Sequence, residues 1–117
     1  MKDTVKIFKA LGDPSRIRIM KMLEEGKLCV CEITAVLDLA PSTVSKHLSL
    51  LRDAGLILDE KNGKWVDYFL NEKSDNEIVR DLLKMIKTTD NNDKTIKDDT
   101  ERLKDSSRFI ICDISTT

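Results

Sequence analysis

The chain has 117 residues, with 35% charged and 40% apolar side chains. That length suits one small domain with extensions, and the balance excludes a disordered chain. No run approaches the roughly 18 apolar residues of a membrane helix, and the leading MKDTVKIFKALGD lacks the apolar core of a signal peptide, so a cytoplasmic location is expected. A net charge of −1 excludes a non-specific nucleic-acid coat, and the three cysteines, kept reduced in the cytoplasm, are left for metal binding, redox chemistry or burial.

Residues 3–12 place Val5, Ile7, Phe8 and Leu11 on a short amphipathic helix that ends near Gly12. Asp13 before Pro14 reads as an N-cap followed by proline at the first helical position. The helix that follows runs to about Glu25, and Ile17, Ile19, Met20, Met22 and Leu23 cover more than half its circumference, so it is expected to be largely buried. Its two methionines read as core filling.

In KLCVCEITAVLDL, residues 27–39, Leu28 to Cys31 can run extended, and a short helix begins near Cys31 or Glu32 and ends near Asp38. After a turn comes LAPSTVSKHLSLLRDAG, opened by Pro41 and closed by Gly55. Val44, Leu48, Leu51 and Ala54 form one apolar stripe at helical spacing. The opposite side carries Ser42, Thr43, Ser45, Lys46 and Ser49, small hydroxyls and a cation that permit close approach and donate to phosphates or base edges. Two helices joined by so short a turn, the second presenting such a face, form the helix-turn-helix pattern of a DNA reader.

Beyond Gly55, LILDEKNGKWVDYFLN alternates as two strands about Asn62-Gly63, with Leu56 and Leu58, then Trp65, Tyr68 or Phe69, and Leu70 expected to face inward. Lys61 and Lys64 flank the turn and read either as a basic wing that reaches phosphates or as charges guarding a sheet edge. From Ala40 to Lys64 the basic residues Lys46, Arg52, Lys61 and Lys64 face the acidic Asp53, Asp59 and Glu60, so the basic excess is weak, and specific binding depends on a dimer doubling the contacts.

Residues 74–87 form another amphipathic helix, capped by Ser74 or Asp75, with Ile78, Leu82, Met85 and Ile86 on one face. Its apolar face and that of the first helix lack partners in so small a core, and dimerisation is their natural use. TTDNND, residues 88–93, is a polar linker. After it, KTIKDDTERLKDSSR reads as a solvated helix with a seam at Ile96, Thr100 and Leu103 or as a mobile tail, and the apolar cluster Phe109–Ile114 looks built to dock. The expected division is a DNA-binding and dimerisation domain over 1–88 and a linker with C-terminal tail over 89–117. The fold class is mainly α with a small β-hairpin: a dimeric winged helix-turn-helix with a C-terminal extension.

Cys29 and Cys31, two apart in an extended segment, would share one face and could converge on one soft ion, favoured as thiolates by the nearby helix N-terminus. Cys112 could add a third sulfur, giving the pyramid suited to trivalent arsenic or antimony, with cadmium and lead also acceptable. The competing reading is that all three are small buried hydrophobes.

KALGDPSRIRIMKML, KLCVCEI and LAPSTVSKHLSLLRDAGLI with the basic hairpin resemble the ArsR/SmtB family of metal-sensing winged-helix repressors over about residues 3–88. The resemblance implies a homodimer on a palindromic operator, released when a metal or metalloid binds. By position it makes Cys29 and Cys31 the two leading cysteines of an arsenic site and residues 41–52 the DNA-reading helix, with His47 and Arg52 among the contacts. His47, within Ser-Lys-His-Leu, is expected to touch DNA or a neighbouring backbone rather than a metal. The chain departs from the family pattern in four places. Thr34 stands where a third cysteine often follows, the N-terminal cysteines that cadmium and lead sensors add are not present, residues 74–88 lack the histidines of an inter-helix zinc site, and Ala40 replaces a frequent serine. Cys112 is the remaining third ligand; without it, two thiols would suit a monomethylated trivalent arsenical. A thiol redox switch on the same fold and a protein-interaction module are the rival readings. With one histidine and no clustered acid pair, phosphate loop or nucleophile elbow, no enzyme is expected.

Overall fold

The computed structural model describes residues 1–105; Cys112 and the cluster Phe109–Ile114 lie outside the described residues. The chain runs through helix α1 (Lys2–Leu11), α2 (Pro14–Met22) extended by a 3-10 turn (Leu23–Glu25), β1 (Leu28–Cys29), α3 (Val30–Leu37), α4 (Pro41–Asp53), β2 (Ile57–Asn62), β3 (Trp65–Leu70), α5 (Glu77–Lys87) and α6 (Lys94–Asp105). Helices α1 to α5 enclose a core of Ile7, Ile19, Met20, Ile33, Val36, Val44, Leu48, Leu51 and Val79, all at most 1% exposed. A small antiparallel sheet in the order β1-β3-β2 closes one side.

Local chemistry explains most of the joints. Asp13 caps α2 by accepting the Arg16 backbone N–H at 3.1 Å, with Pro14 in the first turn where its missing N–H costs nothing. Both methionines of α2 are core residues, Met20 0% and Met22 2% exposed. Gly26, at φ +133°, turns the chain into β1 in a conformation that L side chains rarely adopt. Asp38 takes the left-handed conformation at φ 57° to end α3, and α4 starts immediately after the turn. Ala40 supplies no side-chain cap there, so proline alone marks the start of α4.

The hairpin pairs Ile57 with Leu70 and Asn62 with Trp65, so its two-residue tip is Gly63-Lys64, one residue later than the expected Asn62-Gly63. Gly63 sits at φ +63°, as the first tip position of a tight hairpin requires. The inward phase also differs from expectation. Leu58 is 41% exposed while Leu56 and Ile57 are both 0%, because Leu56 is still in the turn, its N–H bonded to Leu51 O at 3.1 Å, and the strand's alternation begins only at Ile57.

On α5 the cap is Asn76, which accepts the Ile78 N–H at 2.9 Å, rather than Ser74 or Asp75; Ser74 Oγ instead accepts from Asn76 N–H at 3.1 Å. The buried stripe is Val79, Leu83 and Ile86. Of the expected inward stripe, Ile86 is buried, whereas Ile78 and Leu82 lie on the flank, half-buried, and Met85 is 59% exposed. Val5 and Phe8 on α1 are likewise exposed, at 45% and 56%.

The segment after the linker is a helix, with Ile96 buried and Thr100 and Leu103 half-buried along the expected seam. It packs on α2 and α3 through polar clamps as well as that seam. Asp99, 3% exposed, accepts two hydrogen bonds from the Arg18 guanidinium, each at 2.9 Å, and this pairing raises the Arg18 pKa above its already high ordinary value. Arg102 donates to the Val36 carbonyl at 2.8 Å. Lys21, almost wholly buried, donates to Ile86 O and to Asn91 Oδ1, each at 2.9 Å, and ties the end of α5 and the linker to α2.

Candidate nucleic-acid interface and thiol pair

Helix α4 divides into the two faces its sequence promises. Val44, Leu48 and Leu51 are 0% exposed and Ala54 8%, which fixes the helix on the core. Ser42, Thr43, Ser45, Lys46, Ser49 and Arg52 are all exposed. They leave a surface of four short hydroxyl side chains and two long cations on a helix fixed to the core, a shape the major groove admits.

His47 lies at the border of these faces, half-buried, with Nδ1 3.1 Å from Arg16 Nη1. Arginine can only donate, so Nδ1 accepts, and the ring proton sits on Nε2. Arg16 also donates to Ala10 O at 2.6 Å and to Lys9 O at 3.3 Å. One guanidinium thus joins the end of α1 to the reading helix. Sequence reasoning missed Arg16, since nothing in the spacing of a second-helix arginine announces a partner 31 positions away.

In the wing, Lys61 is exposed and Lys64 lies over the Trp65 ring, 4.8 Å from its centroid. Arg52 reaches from α4 to Asp59 of β2 at 2.9 Å, an exposed contact that raises its pKa further. Lys27 pairs with Glu60 across the sheet and lies over Phe69. Tyr68 is half-buried beside this arginine–aspartate pair; burial first, and the Asp59 carboxylate second, push its phenol above the ordinary value of 10.0, against an opposing pull from Arg52.

The cysteines sit differently from the expected arrangement. Only Leu28 and Cys29 are extended, and α3 begins at Val30, so Cys29 and Cys31 do not share the face of a strand. Cys29 is instead the N-cap of α3, 2% exposed, and Cys31 stands half-buried in the first turn. The early start has a cause in the residues. Cys29 and Glu32 form a capping box in which the Glu32 carboxylate accepts the Cys29 N–H at 3.0 Å, with cysteine where serine or threonine is usual. Both cysteines therefore lie at the start of α3, at the positive end of its dipole. Among the described residues no group of three or more His, Cys, Asp or Glu is placed to hold a metal ion, so the described part supplies at most two sulfurs. Thr34, where a third cysteine is often found, has a buried hydroxyl with no hydrogen-bond partner.

The family model of the bacterial regulatory proteins of the arsR family matches residues 13–58. The arsenical resistance operon repressor of Bacillus subtilis (strain 168) is 40% identical over 77 residues, 65% of this chain and 73% of that protein. This chain belongs to the arsR family. The arsenical resistance operon repressor of Escherichia coli (strain K12) is 47% identical over 68 residues, 57% of this chain and 58% of that protein, so the chain spans little more than half the length of that relative. A cadmium resistance transcriptional regulatory protein CadC homolog of Staphylococcus aureus is 38% identical over 78 residues, 66% of this chain and 64% of that protein. A solution structure of the homodimeric winged helix-turn-helix DNA-binding domain Mb0332 of Mycobacterium bovis superposes with a TM-score of 0.63 at 23% identity, covering 74% of this chain and 76% of that one, and establishes the fold as a winged helix. For this arsR-family chain, the match runs from the cap of α2 into β2 and so includes the thiol pair and the whole of α4. No helix among its described residues is long and apolar enough to cross a membrane.

Proposed function

We propose that this arsR-family chain is a DNA-binding transcriptional repressor that acts as a homodimer and is released from its operator by a thiophilic metalloid or metal, trivalent arsenic or antimony first. The carrying observation is the connection between the thiol pair and the reading helix. Cys29 and Cys31 occupy the start of α3, and the short turn at Asp38–Ala40 leads from its end into α4. Ser42, Thr43, Ser45, Lys46, His47 and Ser49 contact bases or phosphates, and Arg52, Lys61 and Lys64 hold the backbone. The exposed Val5 and Phe8 of α1 and the Ile78, Leu82 and Met85 flank of α5 supply the apolar surface for the dimer. The dimer sets two copies of α4 about 34–36 Å apart, at successive major grooves.

Thiolates that draw together around a soft ion move the first turn of α3. Because α3 and α4 are packed as one unit, that movement alters the spacing of the two reading helices. A preference of a few kcal/mol for the non-binding arrangement is enough to empty the operator. Cys112 is the candidate third sulfur, from the same subunit or its partner; the two thiols alone would hold a monomethylated trivalent arsenical. The cadmium resistance relative supports cadmium, and with it lead, as the second choice of inducer.

A gel shift on the DNA upstream of the protein's own coding region tests the reading. Arsenite is expected to abolish the shifted band at concentrations where cadmium leaves it in place. Binding unchanged at saturating arsenite overturns the arsenic assignment, release by cadmium alone selects the second choice, and release by peroxide alone selects a thiol redox switch.

A further inference from the structure

The cations of α4 and the wing are few, and two of the four also have partners within the fold. Arg52 also pairs with Asp59 in solvent and Lys64 also lies on Trp65, so with Lys46 and Lys61 only four cations face a duplex that carries one negative charge about every 1.7 Å. A DNA reader of net charge −1 needs further positive surface beside the reading helix. Helix α1 presents one. Lys2, Lys6 and Lys9 recur at spacings of four and three, which puts them on a single face of the helix. The buried Ile7 and the exposed Phe8 lie off that face, while Val5 and Ala10 line the same groove as the lysines.

All three lysines line a groove of about 500 Å³ between α1 and α4, whose other walls are Val5, Ala10, Arg16, the exposed Leu50 of α4 and a single carboxylate, Asp53. Leu50 lies on the flank of α4 that also carries Thr43, so the groove borders the reading face directly. Among the described residues none of the three lysines takes part in an ion pair. Arg16 fixes the groove, because it binds the last carbonyls of α1 and His47 of α4 together, so α1 keeps its position relative to the helix in the major groove.

We propose that the Lys2–Lys6–Lys9 face of α1 is a second phosphate-binding surface, which takes the DNA backbone along the edge of the major groove that α4 occupies. The inference rests on the DNA-binding reading above. Its role is affinity rather than sequence choice: three flexible ammonium groups neutralise phosphates without reading bases.

The test is the salt dependence of binding. Affinity for the protein's own upstream duplex and for a scrambled duplex is measured across a series of salt concentrations, for the wild-type chain and for a Lys2→Gln, Lys6→Gln, Lys9→Gln variant. A Lys→Arg triple variant serves as the charge-preserving control, and melting curves of all three check the fold. The glutamine variant is expected to lower the slope of log affinity against log salt by about 0.9 for each phosphate no longer neutralised, up to about 3 per protomer. The weakening should be alike on both duplexes, and the arginine variant should keep the wild-type slope. An unchanged slope in a folded glutamine variant overturns the proposal, as does a weakening confined to the upstream duplex. Wild-type protein without affinity for either duplex overturns the DNA-binding reading itself.

Discussion

Two arginine–aspartate pairs of equal length hold different joints of this molecule and do different work. Arg18–Asp99 and Arg52–Asp59 both close at 2.9 Å, but the side chains of the first are 23% and 4% exposed and those of the second 43% and 32%. The first is bidentate and seals α6 onto α2. Its carboxylate has left water and holds its place through the guanidinium. The second spans α4 and the wing in solvent, where an ion pair adds little to stability and a phosphate can replace the carboxylate. Distance alone does not separate a structural arginine from one available to DNA; burial does.

The contrast breaks most visibly at Asp99. Asp99→Ala strands a partly buried guanidinium and is expected to destabilise the fold by about 2–3 kcal/mol, below the upper range for buried pairs because Arg18 keeps contact with water. That would lower the melting temperature by about 10 °C or more, as calorimetry would register. Arg102→Ala removes the donor to the Val36 carbonyl and should cost about 1 kcal/mol by denaturant titration, with α6 becoming more exchange-prone in hydrogen–deuterium exchange. On the other side, Arg52→Gln should leave the melting temperature nearly unchanged and weaken operator affinity severalfold, read by anisotropy. Asp59→Asn releases Arg52 and should tighten binding modestly, again without a thermal penalty.

The smallest effect is that of pH on the wing. The folded chain holds the Tyr68 proton to higher pH than the unfolded chain does, because burial raises the phenol above its ordinary value of 10.0. The stability this contributes is intact below pH 10 and declines as pH rises through the folded value. Tyr68→Phe should flatten that alkaline decline in melting temperature.

Much of this fold was legible because it rests on local rules. Pro41, the stripe Val44–Leu48–Leu51–Ala54 and the Asp13-Pro14 cap each act within a turn or two of their own position, and the observed helix bounds follow them. The misreadings came where a second influence set the phase. Leu58 alternates correctly with Leu56 on paper, but the strand starts one residue later. Ile78, Leu82 and Met85 have helical spacing, yet a parallel stripe of Val79, Leu83 and Ile86 fits the core better. At the thiols, cysteine is an unusual cap residue, so Glu32 was the sole local sign that α3 begins before Cys31. The polar clamps were invisible for another reason: Arg18 meets Asp99 from 81 positions away, and Arg16 meets His47 across three elements. No periodicity encodes such pairs, and in sequence both arginines look like ordinary solvated charges.

The most direct test of the central claim is an anisotropy titration of arsenite into complexes of the upstream duplex with wild-type protein and with a Cys29→Ser, Cys31→Ser variant. Serine preserves the cap of α3, so both proteins are expected to bind the duplex with similar affinity. Arsenite should then release the wild type and leave the variant bound. Equal release of both, or retention of both, would contradict a switch operated through the thiols at the start of α3.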